Sequence, residues 1–124
     1  MNNDYRKGLI AFKEGRFQDA INIFTVLIEI NRNDATVWHA LGASYAKINK
    51  IPEAYNCILF STRIEPDNKK FQKSLSIITK KLENFTKTTE YKENYIEKQK
   101  KEKVKAYESL GKGIVYIILF LFVI

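Results

Sequence analysis

Cysteine, histidine, proline and glycine are all scarce in this 124-residue chain. There is one cysteine, Cys57, and one histidine, His39. A single thiol cannot build a disulfide framework, and no cysteine-rich zinc site or histidine cluster can be assembled. The chain has two prolines and five glycines, and long stretches contain neither. That scarcity argues against a turn-rich β-sandwich and for helices. The start, Met1 to Arg6, is polar and no apolar stretch follows it, so no secretory signal is expected. Apolar residues, by contrast, make up 45% of the chain and aromatics 13%, enough for a packed core. The length predicts one small domain with appendages.

Charge is unevenly distributed. The net charge is +7, yet residues 1–68 hold eight basic and eight acidic side chains. Residues 69–124 hold thirteen lysines and six glutamates, so the whole excess lies there. The pattern is a neutral domain followed by a basic stalk.

Sliding the chain along itself by 34 residues brings Gly8 onto Gly42, Lys13 onto Lys47, Ala20 onto Ala54 and Ile30 onto Ile64. Phe17 meets Ile51, Asp19 meets Glu53, and Phe24 meets Ile58. Each unit reads as two helices, with Trp38, Leu41 and Tyr45, then Ala54, Cys57 and Ile58, at helical spacing. Pro52 suits a first helical turn, and Asp34 and Asn68 suit N-caps. Gly8, Gly42, Ala20 and Ala54 stand where antiparallel helices must approach closely. Trp38, Leu41, Tyr45, Phe24 and Ile58 read as core, and Cys57 as a small buried hydrophobe.

Trp38, Leu41, Gly42 and Tyr45, then Ala54 and Pro66, resemble the tetratricopeptide repeat, a helix–turn–helix unit of this period. The first unit keeps Gly8, Ala11, Gly15, Phe17, Ala20, Phe24 and Ile30 but has Asp4 and Lys7 in place of the leading Trp and Leu. The expected fold is an all-α, tetratricopeptide-like solenoid over residues 1–84, with repeats at 1–34 and 35–68 and a capping helix at 69–84. In the cap, Phe71, Leu75, Ile78, Leu82 and Phe85 form an apolar stripe suited to covering the second repeat.

Residues 85–112 are a different material. Thr86, Thr88 and Thr89 mark a break. Lys, Glu and Gln then dominate, as in a solvated helix or a linker; Lys98 to Lys105 also suits a polybasic segment next to anionic lipid, at about 1 kcal/mol per lysine. Residues 113–124 carry no charge. As a helix they would reach about 18 Å, against about 30 Å of hydrocarbon. Three readings compete: a short or cut-off membrane anchor, an interfacial segment, and a core element packed on the repeats. Membrane contact is the expectation adopted, with the lysines facing the cytosol.

No catalytic constellation is present: His39 has no Ser or Cys partner at a recognised spacing, and no glycine loop could cradle phosphate. Neither an enzyme nor a cofactor is expected. The lysines of the stalk are interrupted by glutamates and no arginine follows Arg63, so specific nucleic-acid binding is not expected either. The resemblance implies a binding scaffold whose first helices line a peptide groove. Carried over, the groove positions are Tyr5, Leu9, Phe12 and Lys13; Thr36, His39, Ala43 and Lys47; and Lys70, Lys73, Ile77, Lys80 and Lys81. A plainer reading, surface lysines among a few exposed apolar residues, stands beside it. The groove would be apolar at one end and basic at the other, fit for an acidic peptide with an apolar anchor. The family's carboxylate clamp is not matched, since Tyr5, Leu9, Ala40 and Ser74 occupy its positions and Lys70 alone agrees. The predicted function is a protein–protein adaptor held at a membrane. The alternative is a soluble chaperone or assembly factor whose tail packs on the repeats or on a subunit.

Overall fold

The computed structural model describes residues 2–108, apart from the side chains of residues 89–91 and 107. The described residues form six helices: α1 (Asn3–Lys13), α2 (Phe17–Ile30), α3 (Ala35–Lys47), α4 (Ile51–Ile64), α5 (Lys69–Thr86) and α6 (Thr89–Glu108). No strand occurs among the described residues. The chain divides into two units, Met1–Phe85 and Thr86–Ile124.

The 34-residue period is visible in the helix ends. α2 and α4 begin at positions 17 and 51 and end at 30 and 64, while α1 and α3 end at 13 and 47. Caps explain where the helices start. The Asp34 carboxylate accepts the N–H of Val37 at 3.2 Å. The Asn68 amide oxygen accepts those of Lys70 and Phe71 at 3.1 and 3.2 Å. Both satisfy donors that the first turn leaves unpaired. Pro52 sits in the first turn of α4, as its missing N–H allows.

The turn within each repeat is a Schellman motif. In the first, Arg16 N–H donates to the Ala11 carbonyl at 2.9 Å and Gly15 N–H to Phe12 at 3.1 Å. In the second, Lys50 N–H donates to Tyr45 at 3.0 Å and Asn49 N–H to Ala46 at 3.1 Å. The motif needs one left-handed residue. Gly15 supplies it at φ +77° and Asn49, 34 residues on, at φ +61°. Asparagine is the side-chain-bearing residue that tolerates this region best.

Two apolar clusters hold the first unit together. Ala11, Ala20, Ile21, Phe24, Leu27, Ile28, Val37, Leu41 and Cys57 form one, joining α1 to α4. Ile51, Ala54, Ile58 and Ile78 form the other, with Leu75, Leu82 and Phe85 packed around them. α5 therefore covers α4 with the stripe expected of a cap, and it runs to Thr86, past the expected end at 84. Phe24, Leu41 and Ile58 are buried, while Trp38 and Tyr45 are half-buried at the edges of the core. Ser44 and Ser61 are fully buried, and each hydroxyl donates to a carbonyl of its own helix, Ala40 at 2.8 Å and Ile58 at 2.7 Å.

α6 is a lysine-rich helix whose described side chains are almost all exposed. One of its pairs, Lys101–Glu97 at 3.2 Å, spans one turn. The apolar tail 113–124, and residues 109–112 before it, lie outside the described residues.

Candidate functional site

α1, α3 and α5 are the first helices of successive units and lie side by side. α1 touches α3, and α3 is tied to α5 through His39. Helical geometry sorts their residues by face. On α3, Ala35, Val37, Leu41, Gly42 and Ser44 are buried. Thr36, Ala40, Ala43 and Lys47 share the opposite, more open face. The 34-residue offset extends this face to Arg6, Leu9 and Lys13 on α1 and to Lys70, Ser74, Ile77 and Lys81 on α5.

By the 34-residue register these positions fall into rows. Leu9, Ala43 and Ile77 make an apolar row; Ile77 is half exposed, and Leu9 and Ala43 are half-buried. Lys13, Lys47 and Lys81, all exposed, make a basic row one turn further along, about 6 Å at 1.5 Å per residue. The ion pairs on α1 and its turn lie elsewhere, between Lys7 and Asp4 at 3.9 Å and from Arg16 to Glu14 and Asp19 at 2.7 and 3.0 Å.

The expected groove residues thus divide into three sets. Leu9, Lys13, Ala43, Lys47, Lys70 and Ile77 share the open face. Tyr5, Phe12 and His39 turn toward neighbouring elements. The Tyr5 ring lies 5.8 Å from that of Phe24, and burial followed by the Asp34 charge pushes its phenol pKa up. Phe12 meets Phe17 edge-on at 5.4 Å. Lys73 stands, by register, on the flank of α5 away from α3. Lys80 lines a hollow along α5 with Gln72, Leu75, Ser76, Thr79 and Glu83. Three residues of the open face, Arg6, Ala40 and Ser74, are not among the expected groove positions; the 34-residue offset relates them to one another.

No serine stands at a recognised catalytic spacing from His39 in the sequence; in the fold its Nε2 lies 2.7 Å from the Ser74 hydroxyl, and its ring stacks on Phe71 at 4.8 Å and 26°. Burial, followed by the nearby Lys70 ammonium, pushes the imidazole pKa down. The ring is therefore neutral at neutral pH and holds α3 to α5. The pair does not form an acyl-transfer site. Ser74 is in mid-helix, where backbone N–H groups are engaged and none remains to stabilise an oxyanion. Cys57 is equally unsuited to chemistry, since burial, with a smaller effect of Glu53, pushes its thiol up to about 12. Among the described residues no group of His, Cys, Asp and Glu is placed to hold a metal ion.

This geometry has known counterparts. MamA, a tetratricopeptide-repeat protein, is similar in two solved structures. The ArsTM double mutant of MamA RS-1 superposes with a TM-score of 0.63 at 16% identity, over 80% of this chain and 56% of that one. MamA from residue 41 to its end, from Desulfovibrio magneticus RS-1, superposes with a TM-score of 0.62 at 16% identity, over 79% and 55%. The fold is tetratricopeptide-like. No family model matches the chain. Among curated proteins, "Essential for maintenance of the cell wall protein 1" of Saccharomyces cerevisiae is 33% identical over 54 residues, 44% of this chain and 6% of that protein. The chain spans a little over half of the MamA structures and a small fraction of the yeast protein. The likeness therefore bears on the fold.

Proposed function

We propose that the chain is a non-enzymatic protein–protein adaptor, holding a peptide segment of a partner across the open face of α1, α3 and α5. The observation that carries this reading is the alignment of three equivalent helices. They present an apolar row beside a basic row, with no acidic residue at any position of either. Such a face suits an acidic segment with apolar anchors. The test is selection from a random peptide display library on the full chain, followed by binding to an Ala43→Arg variant, whose long side chain would fill the centre of the face. Enriched peptides that lose the variant support the reading. Failure to enrich any peptide, or peptides indifferent to Ala43→Arg, would overturn it.

The second part of the proposal is that residues 113–124 bring the adaptor to a membrane, with the repeats in the cytosol. It is supported by the uncharged apolar run and the lysines before it. No helix among the described residues is long and apolar enough to cross a membrane. Liposome flotation of the full chain and of a 1–112 truncation tests it. Salt-resistant flotation of the full chain alone is expected. If neither floats and the truncation loses solubility, the tail belongs to the folded protein and the assembly-factor reading replaces the anchor.

A further inference from the structure

The basic row has a regularity that helix-end electrostatics do not explain. Lys13 and Lys47 close α1 and α3, where a cation is favoured by the helix dipole. Lys81 is their equivalent, yet it lies five residues before the end of α5, outside the last turn. The three lysines recur because the repeat recurs. The face they border carries Arg6 and Lys70 as well, and no acid. Residues 1–68 are neutral overall, so their acids have been placed on other faces. A surface of one sign on a neutral domain favours a ligand of the opposite sign.

The spacing restricts the form of that ligand. Packed helices stand about 8–10 Å apart. A polyproline-type strand rises about 3.1 Å per residue and returns to the same side every third residue, about 9 Å. Each turn of such a strand therefore advances by one helix of the array. An acid at every third residue meets the three lysines in succession, while an apolar side chain on the neighbouring edge of the strand falls on Leu9, Ala43 and Ile77.

We infer that the partner segment is an acidic strand of polyproline type with a carboxylate at every third residue, read by Lys13, Lys47 and Lys81 beside the Leu9–Ala43–Ile77 row. This inference rests on the groove reading above and adds the ligand's charge and register to it.

The test uses three fluorescently labelled dodecamers, each capped at both ends so that no terminal carboxylate contributes. One repeats Glu-Pro-Leu. The second has the same composition with its glutamates consecutive. The third repeats Gln-Pro-Leu. Anisotropy with the full chain is expected to show the in-register acidic peptide binding about tenfold or more tightly than either control. Each of Lys13→Gln, Lys47→Gln and Lys81→Gln is expected to weaken it by about two- to fivefold, the range of exposed ion pairs. Raising salt from about 50 to about 500 mM weakens it further. Lys92→Gln, on α6, leaves it unchanged, and circular dichroism checks that each variant is folded. Equal binding of the two acidic peptides, or indifference to all three lysine changes, overturns the inference. If the Gln-Pro-Leu peptide binds as well and loses Ala43→Arg, the register is wrong while the groove stands. If no peptide binds and display selection also fails, both fall.

Discussion

The two repeats close their hairpins on different materials. In the first, a ring fills the gap: Phe24 is fully buried, and a Cβ added to Gly8 would stand 2.4 Å from its Cε1 and 2.8 Å from its Cζ. In the second, the helices themselves come closer. A Cβ on Gly42 would meet Ile58 Cγ1 at 2.7 Å, the Ala54 carbonyl oxygen at 3.1 Å and Cys57 Cβ at 3.2 Å. Ser61 is buried there, at the place Leu27 holds in the first repeat. The same glycine thus serves two packing solutions, a large side chain in one hairpin and near-contact of backbone in the other. The outer edges differ as well. The Trp38 ring lies tilted against Phe60 at 4.8 Å and donates its indole N–H to the Arg32 carbonyl at 2.8 Å. Asp4 and Val26 hold the equivalent places in repeat one.

The largest test of this contrast is truncation. Phe24→Ala should cost about 3–5 kcal/mol and Ile58→Ala about 2–5, with Phe24 the greater, by urea denaturation of the full chain. The reverse order would mean that repeat one does not depend on its ring.

Glycine replacement comes next. Gly8→Ala and Gly42→Ala should each lose about 1–3 kcal/mol to overpacking, partly offset by about 1 kcal/mol of helix preference for alanine. The two should then part company. Phe24→Leu should relieve Gly8→Ala in a double-mutant cycle, because the three atoms nearest that site all belong to the Phe24 ring. Ile58→Val should leave most of the Gly42→Ala cost in place, because a backbone oxygen crowds it too.

A smaller effect separates the turns. Gly15→Ala places a methyl at φ +77° and should cost about 1–2 kcal/mol. Asn49→Gly, at φ +61°, should change stability by less than about 0.5 kcal/mol. Thermal melts of the two variants read the difference directly.

The smallest effect concerns His39, whose place in repeat one is taken by Tyr5. Its folded pKa lies below the unfolded value of about 6.5. The unfolded chain therefore binds the proton first as pH falls. The His39 contribution is fully present above about pH 6.5 and declines as pH drops toward the folded value. Urea titrations between about pH 7.5 and about pH 5.5 should show stability falling in the parent and falling less in His39→Gln. An unchanged slope would show that the imidazole titrates alike in both states.

Much of this architecture was legible in the chain because helix hairpins are local. Gly8 over Gly42 and Ala20 over Ala54 announced close approach, and Asp34, Pro52 and Asn68 announced the helix starts. The apolar stripe from Phe71 to Phe85 announced an amphipathic helix, and Phe71 and Ile78 are buried. The turn residue was harder to see, since Gly15 and Asn49 do not match by eye; they match only in the φ that each can adopt. The site was read less completely. The family resemblance assigned Tyr5, Phe12 and His39 to the groove, and neighbouring rings show that they are partly used in packing. Lys80 sits one residue from Lys81 and faces a different hollow, a distinction of about 100° that composition does not carry.

By itself, then, the sequence determined the period, the starts of α3, α4 and α5, and the division between a neutral first stretch and a lysine-rich remainder. These follow from contacts within a few residues and from a repeat that copies them. The tertiary structure decided which partners meet across the repeats. It set Ser74 against His39 and Phe60 against Trp38. Such pairings depend on how one helix rotates and packs against another, and in an array of repeats that rotation is set by the summed packing of neighbouring units.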